Sequence, residues 1–341
     1  MMSFLTLRPM HGAEWTPINT GLQHSSFGIT TLTVDPSTPS TLYAYAPQGG
    51  LFKSTDAAAS WKAVTGLAGL SFVAIDPNNS ATLYAATQNG VVKSLDGGES
   101  WNAANGNLTD NCFQLVIDPI TPTTVYCLSN GGIFRTADGG ATWKQIRADV
   151  ASSLVIDPIV PSTIYAGVNT TAIIKSTDRG ENWVTMKAGI TLVTFNTAGA
   201  LVIDPRTPST LYAGSFAAAS VSSSPGVPPL DFGTGTISKS TDGGQTWTTI
   251  RAGIPSDASV GSLALNPASP STIYAGYSGG GVAGILKSID GGQSWAVIST
   301  INLYGSSNVE AAVDPRTPST IYAAYSTFFD TGTISKSTDA G

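Results

Sequence analysis

Cleaving a glycosidic bond takes two carboxyl groups flanking the link, and a metal site takes clustered carboxylate, imidazole or thiolate ligands. Thirteen aspartates fall into two recurring slots: Asp35, Asp76, Asp118, Asp157, Asp204 and Asp314 precede proline, and Asp56, Asp96, Asp138, Asp178, Asp242, Asp290 and Asp339 follow a Ser/Thr-x pair. Residues repeated in this way are spread over the molecule, whereas a reaction needs one site, so both sets are assigned to turns. Asp110, Asp149, Asp231, Asp257 and Asp330 remain, with Glu14, Glu99, Glu181 and Glu310. Glu310 departs furthest from the repeat and is the weak catalytic candidate. Four residues before Asp314, it stands where the other copies carry Thr31, Phe72, Gln114, Ser153, Ala200 and Ser262. The plainer reading of Glu310 is a satisfied polar group in a wet channel. His11 and His24 are too few for a catalytic or metal cluster, and neither a metal nor a cofactor is expected.

These residues are positioned by a repeat. Lys93-Ser94-Leu95-Asp96-Gly97-Gly98-Glu99-Ser100-Trp101 has counterparts ending at Trp61, Trp143, Trp183, Trp247 and Trp295. A seventh copy begins at Lys336-Ser337-Thr338-Asp339, and Glu14-Trp15 supplies its other half. A second motif, typified by Ile203-Asp204-Pro205-Arg206-Thr207-Pro208-Ser209-Thr210-Leu211-Tyr212-Ala213, alternates with the first, its copies 41, 42, 39, 47, 62 and 48 residues apart. Asp-Pro starts a turn, since the carboxylate accepts nearby backbone N–H groups and proline presets φ. Apolar runs on either side read as short buried strands. A period in the forties with four strands per unit predicts an all-β, seven-bladed β-propeller of four-stranded antiparallel blades. The N-terminal strand is expected to complete the last blade, giving a tail over 1–11 and a single propeller over 12–341. A cut through a longer array is the alternative.

Composition narrows the partners. The net charge is −6 and only 11% of residues are charged. Seven of the sixteen basic residues occupy one repeat slot (Lys53, Lys93, Arg135, Lys175, Lys239, Lys287 and Lys336), so no basic patch for nucleic acid follows. No apolar run is long enough to span a bilayer. The first ten residues lack the apolar core of a secretory signal, so either the protein stays inside or its true N-terminus lies upstream. Cys112 and Cys127 fall in one repeat; two buried free thiols are expected, with a single disulfide as the alternative.

Strand direction alternates, so the Asp-Pro and Ser-x-Asp turns should share one face of the disc and the variable loops the other. Function is normally carried by loops that depart from a repeat. Aromatic residues outside the repeat slots are expected there: Phe195, Phe232, Tyr277, Tyr304, Phe328 and Phe329. With Asp231, Asp257, Asn308, Glu310 and Asp330 they form the candidate ligand surface for a glycan or peptide.

Ser-x-Asp-x-Gly-x-Thr-Trp resembles the Asp-box, or BNR, repeat of sialidases, sortilin-type receptors, photosystem II assembly factors and xyloglucan-cleaving glycoside hydrolases. Together with the Asp-Pro motif it is most similar to bacterial WD/YVTN/BNR-like repeat proteins and the assembly-factor group. The resemblance covers residues 12–341 and implies an extracytoplasmic location. A sialidase would need three converging arginines. Here Arg135, Arg147, Arg179, Arg206, Arg251 and Arg316 occupy repeated positions and Arg8 the tail. The reading is a monomeric, non-catalytic propeller that binds a protein or glycan, with a xyloglucanase-like hydrolase as the alternative.

Overall fold

In the computed structural model the described residues are 8–9, 14–22, 28–47, 49–67, 69–168, 172–186, 198–215, 236–256, 258–279, 281–302, 308–326 and 333–341. They build seven antiparallel sheets around a ring. In blade 1 the strands are Thr31–Val34, Leu42–Ala46, Gly50–Ser54 and Lys62–Val64. The first strands of blades 2 to 7 are Leu70–Ile75, Cys112–Ile117, Ala151–Ile156, Ala198–Ile203, Ser259–Leu265 and Asn308–Val313. First strands of successive blades touch one another, blade 7 against blade 1 included, so they form the inner wall. Short fourth strands such as Lys62–Val64 and Asn102–Ala103 are largely exposed and form the rim. Second strands such as Leu42–Ala46 and Leu83–Thr87 are buried at every position. Both faces of a second strand are covered by neighbouring blades, and hence these segments show no polar alternation.

The ring is closed by strands from opposite ends of the sequence. Thr16–Pro17 pairs antiparallel with Thr333–Ser337, in the register Thr16↔Lys336 and Pro17↔Ser335, and so completes blade 7. Arg8–Pro9 adds a fifth strand to blade 6 by pairing with Ser299 and Thr300.

Each Ser-x-Asp turn is held by its own side chains. In blade 1, Ser54 Oγ donates to Asp56 Oδ1 at 2.8 Å and accepts from the Ala58 N–H at 2.9 Å. The Ser60 N–H donates to Asp56 Oδ1, and Ser60 Oγ to Asp56 Oδ2 at 2.5 Å. Blades 2 to 6 repeat this arrangement around Asp96, Asp138, Asp178, Asp242 and Asp290. Hydrogen bonds from the residue four positions on hold the carboxyls of Asp56, Asp178 and Asp242 down at about 2. Because these folded values lie below the unfolded one, the stability they contribute is present above pH ~4 and is lost as pH falls towards 2.

The residue after this aspartate joins the blades. Its N–H donates back to the start of the second strand, as in Gly97 to Ala81 and Gly243 to Ser209. Its carbonyl receives the preceding blade: Tyr43 Oη and Lys53 Nζ both donate to the Gly97 oxygen, at 2.8 and 2.7 Å. Tyr212 with Lys239, and Tyr274 with Lys287, do the same to Gly291 and Ala340. Lys336 Nζ reaches the Ala57 oxygen and so links blade 7 to blade 1. The basic slot of the repeat is therefore a staple between blades. Tryptophan also crosses blades: Trp61 Nε1 donates to the Ile18 carbonyl and Trp143 Nε1 to that of Ala104.

The stapled residue has positive φ throughout, +71° at Gly97 but also +56° at Ala57 and +69° at Ala340. A left-handed conformation costs a non-glycine residue about 1–2 kcal/mol, partly offset by the greater unfolded-state entropy of glycine. Ala57→Gly is therefore expected to raise the thermal midpoint by a few degrees; a lowered midpoint in differential scanning calorimetry would contradict this account.

Cys112 and Cys127 are joined in a disulfide, correcting the expectation of free thiols. They sit on the first and second strands of blade 3, where a register shift between Cys112 and Gln114 brings their Cα atoms within 5.6 Å. That spacing is within disulfide reach.

Candidate functional site

The inner strands surround an axis with two unlike ends. Towards the repeated-turn face, the ends of the first strands of blades 4 to 7 wall a cavity of about 420 Å³, lined by Val155, Ile156, Val202, Ile203, Ala264 and Val313 with Pro158 and Pro205. This part is aliphatic. Further from that face the same strands carry Gln114, Ser153, Ser262 and Glu310.

Inner strands present an open edge to the axis, and side chains from the preceding blade close it. Thr33 Oγ1 donates to the Val73 carbonyl, Ser71 Oγ to that of Cys112, and Ser262 Oγ to that of Val309 at 2.8 Å. Glu310 acts at the closing seam, where its Oε2 accepts the Leu32 N–H at 2.8 Å across 278 positions of sequence. Burial pushes its carboxyl up to about 8, while the Leu32 N–H, which favours the ionised form, opposes this. The neutral form of Glu310 is thus favoured relative to an exposed carboxylate. Among the described residues no second carboxylate contributes to this shift.

The other candidates are placed unevenly. Phe195, Asp231, Phe232, Asp257, Tyr304, Phe328, Phe329 and Asp330 lie outside the described residues. Asn308 opens the first strand of blade 7, opposite Ser326. Tyr277 corrects the sequence reading: it lies in the strand Ile273–Gly279, 2% exposed and packed with Ala258 and Val260, instead of in a surface loop. Tyr277 is the fifth residue of its strand, the place held in other second strands by Ala46, Thr87, Ser129 and Val168, all of them buried. Nearby Tyr325, not singled out from the sequence, is also buried, its Oη 3.3 Å from Ser299 Oγ. Burial raises its pKa well above the ordinary tyrosine value. Among the described residues no three histidine, cysteine, aspartate or glutamate groups converge as metal ligands, and no helix is long and apolar enough to cross a membrane.

No described protein family matches the sequence, and no curated protein does. Solved structures do. A GH74 xyloglucanase from Xanthomonas campestris matches with a TM-score of 0.68 at 19% identity, over 96% of this chain and 54% of that one. YCF48 bound to D1 peptide matches with a TM-score of 0.64 at 15% identity, over 97% and 99%. YCF48 from Cyanidioschyzon merolae matches with a TM-score of 0.65 at 12% identity, over 96% and 99%. What they share is the fold. The chain spans about half the length of the GH74 enzyme and nearly the whole of each YCF48 chain.

Proposed function

We propose that this chain is a non-catalytic binding propeller of the Asp-box kind, holding a protein segment or glycan on its variable-loop face. The observation that carries this reading is the disposition of the carboxyl groups. The Ser-x-Asp carboxylates of blades 1 to 6 are committed to turns, and Glu310 is committed to the blade 7–blade 1 seam. The end-to-end likeness to YCF48, captured with a peptide, supports the same reading. The assay is retention on peptide and plant, bacterial and sialylated glycan arrays, with released sugar scored in parallel. Retention without release is expected, with Phe328→Ala and Phe329→Ala weakening it several-fold at an unchanged thermal midpoint. Undiminished retention in both variants counts against this surface.

A hydrolase is the second reading, favoured by the likeness to the GH74 enzyme and by a carboxyl of raised pKa on the inner strand of blade 7. It requires the unmodified chain to release sugar from xyloglucan and Glu310→Gln to abolish that release. Absence of released sugar from the unmodified chain removes it.

A further inference from the structure

Six large aliphatic residues are exposed among the described residues, and five of them (Leu95, Ile120, Ile159, Val160 and Ile289) belong to the repeated turns and share one face. Three stand on the Asp-Pro turns of blades 3 and 4. The residue after each Asp-Pro has a use within the fold: Ser37 Oγ donates to the Pro77 carbonyl and Asn78 Nδ2 to that of Pro119, both at 2.7 Å, tying each turn to the next. Ile120 and Ile159 fill this slot in blades 3 and 4 and can donate nothing. They are 60% and 58% exposed, so they contribute little burial either. Intrachain structure therefore does not explain them.

The same slot carries Arg206 in blade 5 and Arg316 in blade 7, both exposed and neither ion-paired among the described residues. These turns surround the aliphatic axial cavity, walled in part by Pro158 and Val202. The face thus has apolar side chains on blades 3 and 4, an apolar hollow at the axis and exposed guanidinium groups on blades 5 and 7.

We propose that the repeated-turn face docks an acidic, aliphatic peptide segment of a partner protein. Its aliphatic side chains pack on Ile120, Ile159 and Val160 and enter the axial cavity, and its carboxylates pair with Arg206 and Arg316. Guanidinium forks match carboxylates, and exposed apolar patches rimmed by polar residues mark interaction sites. The Ser-x-Asp carboxylates lie further from the axis on this face and repel anionic groups from the rim, which leaves the arginines as the anchoring point. This surface is opposite the variable loops and does not rest on the reading given above.

The test is fluorescence anisotropy of the full chain with labelled short peptides alternating Leu and Glu, against Leu/Lys and Ser/Glu controls. The Leu/Glu peptide is expected to bind and the controls are not. The pair Arg206→Glu and Arg316→Glu should weaken binding about tenfold or more, as should Ile159→Asp, each with an unchanged thermal midpoint. Arg206→Gln with Arg316→Gln serves if charge reversal impairs folding. Phe328→Ala should leave this binding intact, separating it from the variable-loop reading. Equal binding of the Leu/Lys peptide, or no binding of any peptide, overturns the proposal. So does a concentration-dependent dimer abolished by Ile159→Asp, which assigns the face to a second copy of the chain.

Discussion

Unfolding free energy is expected to fall by up to about 4 kcal/mol between pH ~4.5 and pH ~8 on account of Glu310 alone, and Glu310→Gln should abolish that component. The carboxyl titrates near 4.5 when unfolded and at about 8 in the folded ring, raised by burial. The folded state therefore holds the proton more tightly. Its contribution is fully present below the unfolded value and is lost as pH rises through the folded one, at about 1.4 kcal/mol per pH unit. Glutamine keeps an oxygen for the Leu32 N–H but does not ionise, so the variant should match the unmodified chain near pH 4.5 and exceed it at pH 8. Urea unfolding at several pH values measures the effect, and the difference between the two proteins cancels other titrating groups, the histidines included. Parallel slopes for both proteins would show that the carboxyl is not buried as described.

Breaking the Cys112–Cys127 bond is expected to cost about 3 kcal/mol, the loop-closure value for a link spanning about fifteen residues, in line with its separation of 15 positions. Both cysteines are buried, and the second strand of blade 3 has no exposed position. The double substitution Cys112→Ala/Cys127→Ala avoids burying hydroxyl groups and isolates the cross-link. Its denaturation midpoint should match that of the unmodified chain in reductant. If reductant leaves the midpoint unchanged and both thiols alkylate in the native protein, the bond does not form.

Much of the architecture was legible because its determinants are local. Asp-Pro, Ser-x-Asp and Gly-Gly encode turns within a few residues, as the bonds from Asp56 to Ser60 and from Asp35 to the Ser37 N–H illustrate. The staple was also present in the sequence, as a basic residue in each box and a tyrosine in each Leu-Tyr-Ala strand. Its meaning was not, because Lys53 and Gly97 meet only once blades stack. Tyr277 stands at the fifth position of its second strand, which is buried in other blades as Thr87 and Ser129, and its large aromatic type departs from the small residues of that slot, so residue type alone points it to a loop.

From the sequence alone, seven copies of two turn motifs determined the fold class, the blade number and the face on which both turns lie. No copy can bury its second strand except by stacking on neighbours, and the turn chemistry sets strand direction. The tertiary structure decided which residues meet across the ring: Glu310 with Leu32, Lys336 with Ala57, and Cys112 with Cys127 through a shifted register. It also decided that the axis is aliphatic towards the repeated-turn face and that the side chains of Ile120, Ile159, Arg206 and Arg316 are exposed. These outcomes depend on the angular placement of whole blades and on single-residue register, both of which arise only when the ring closes.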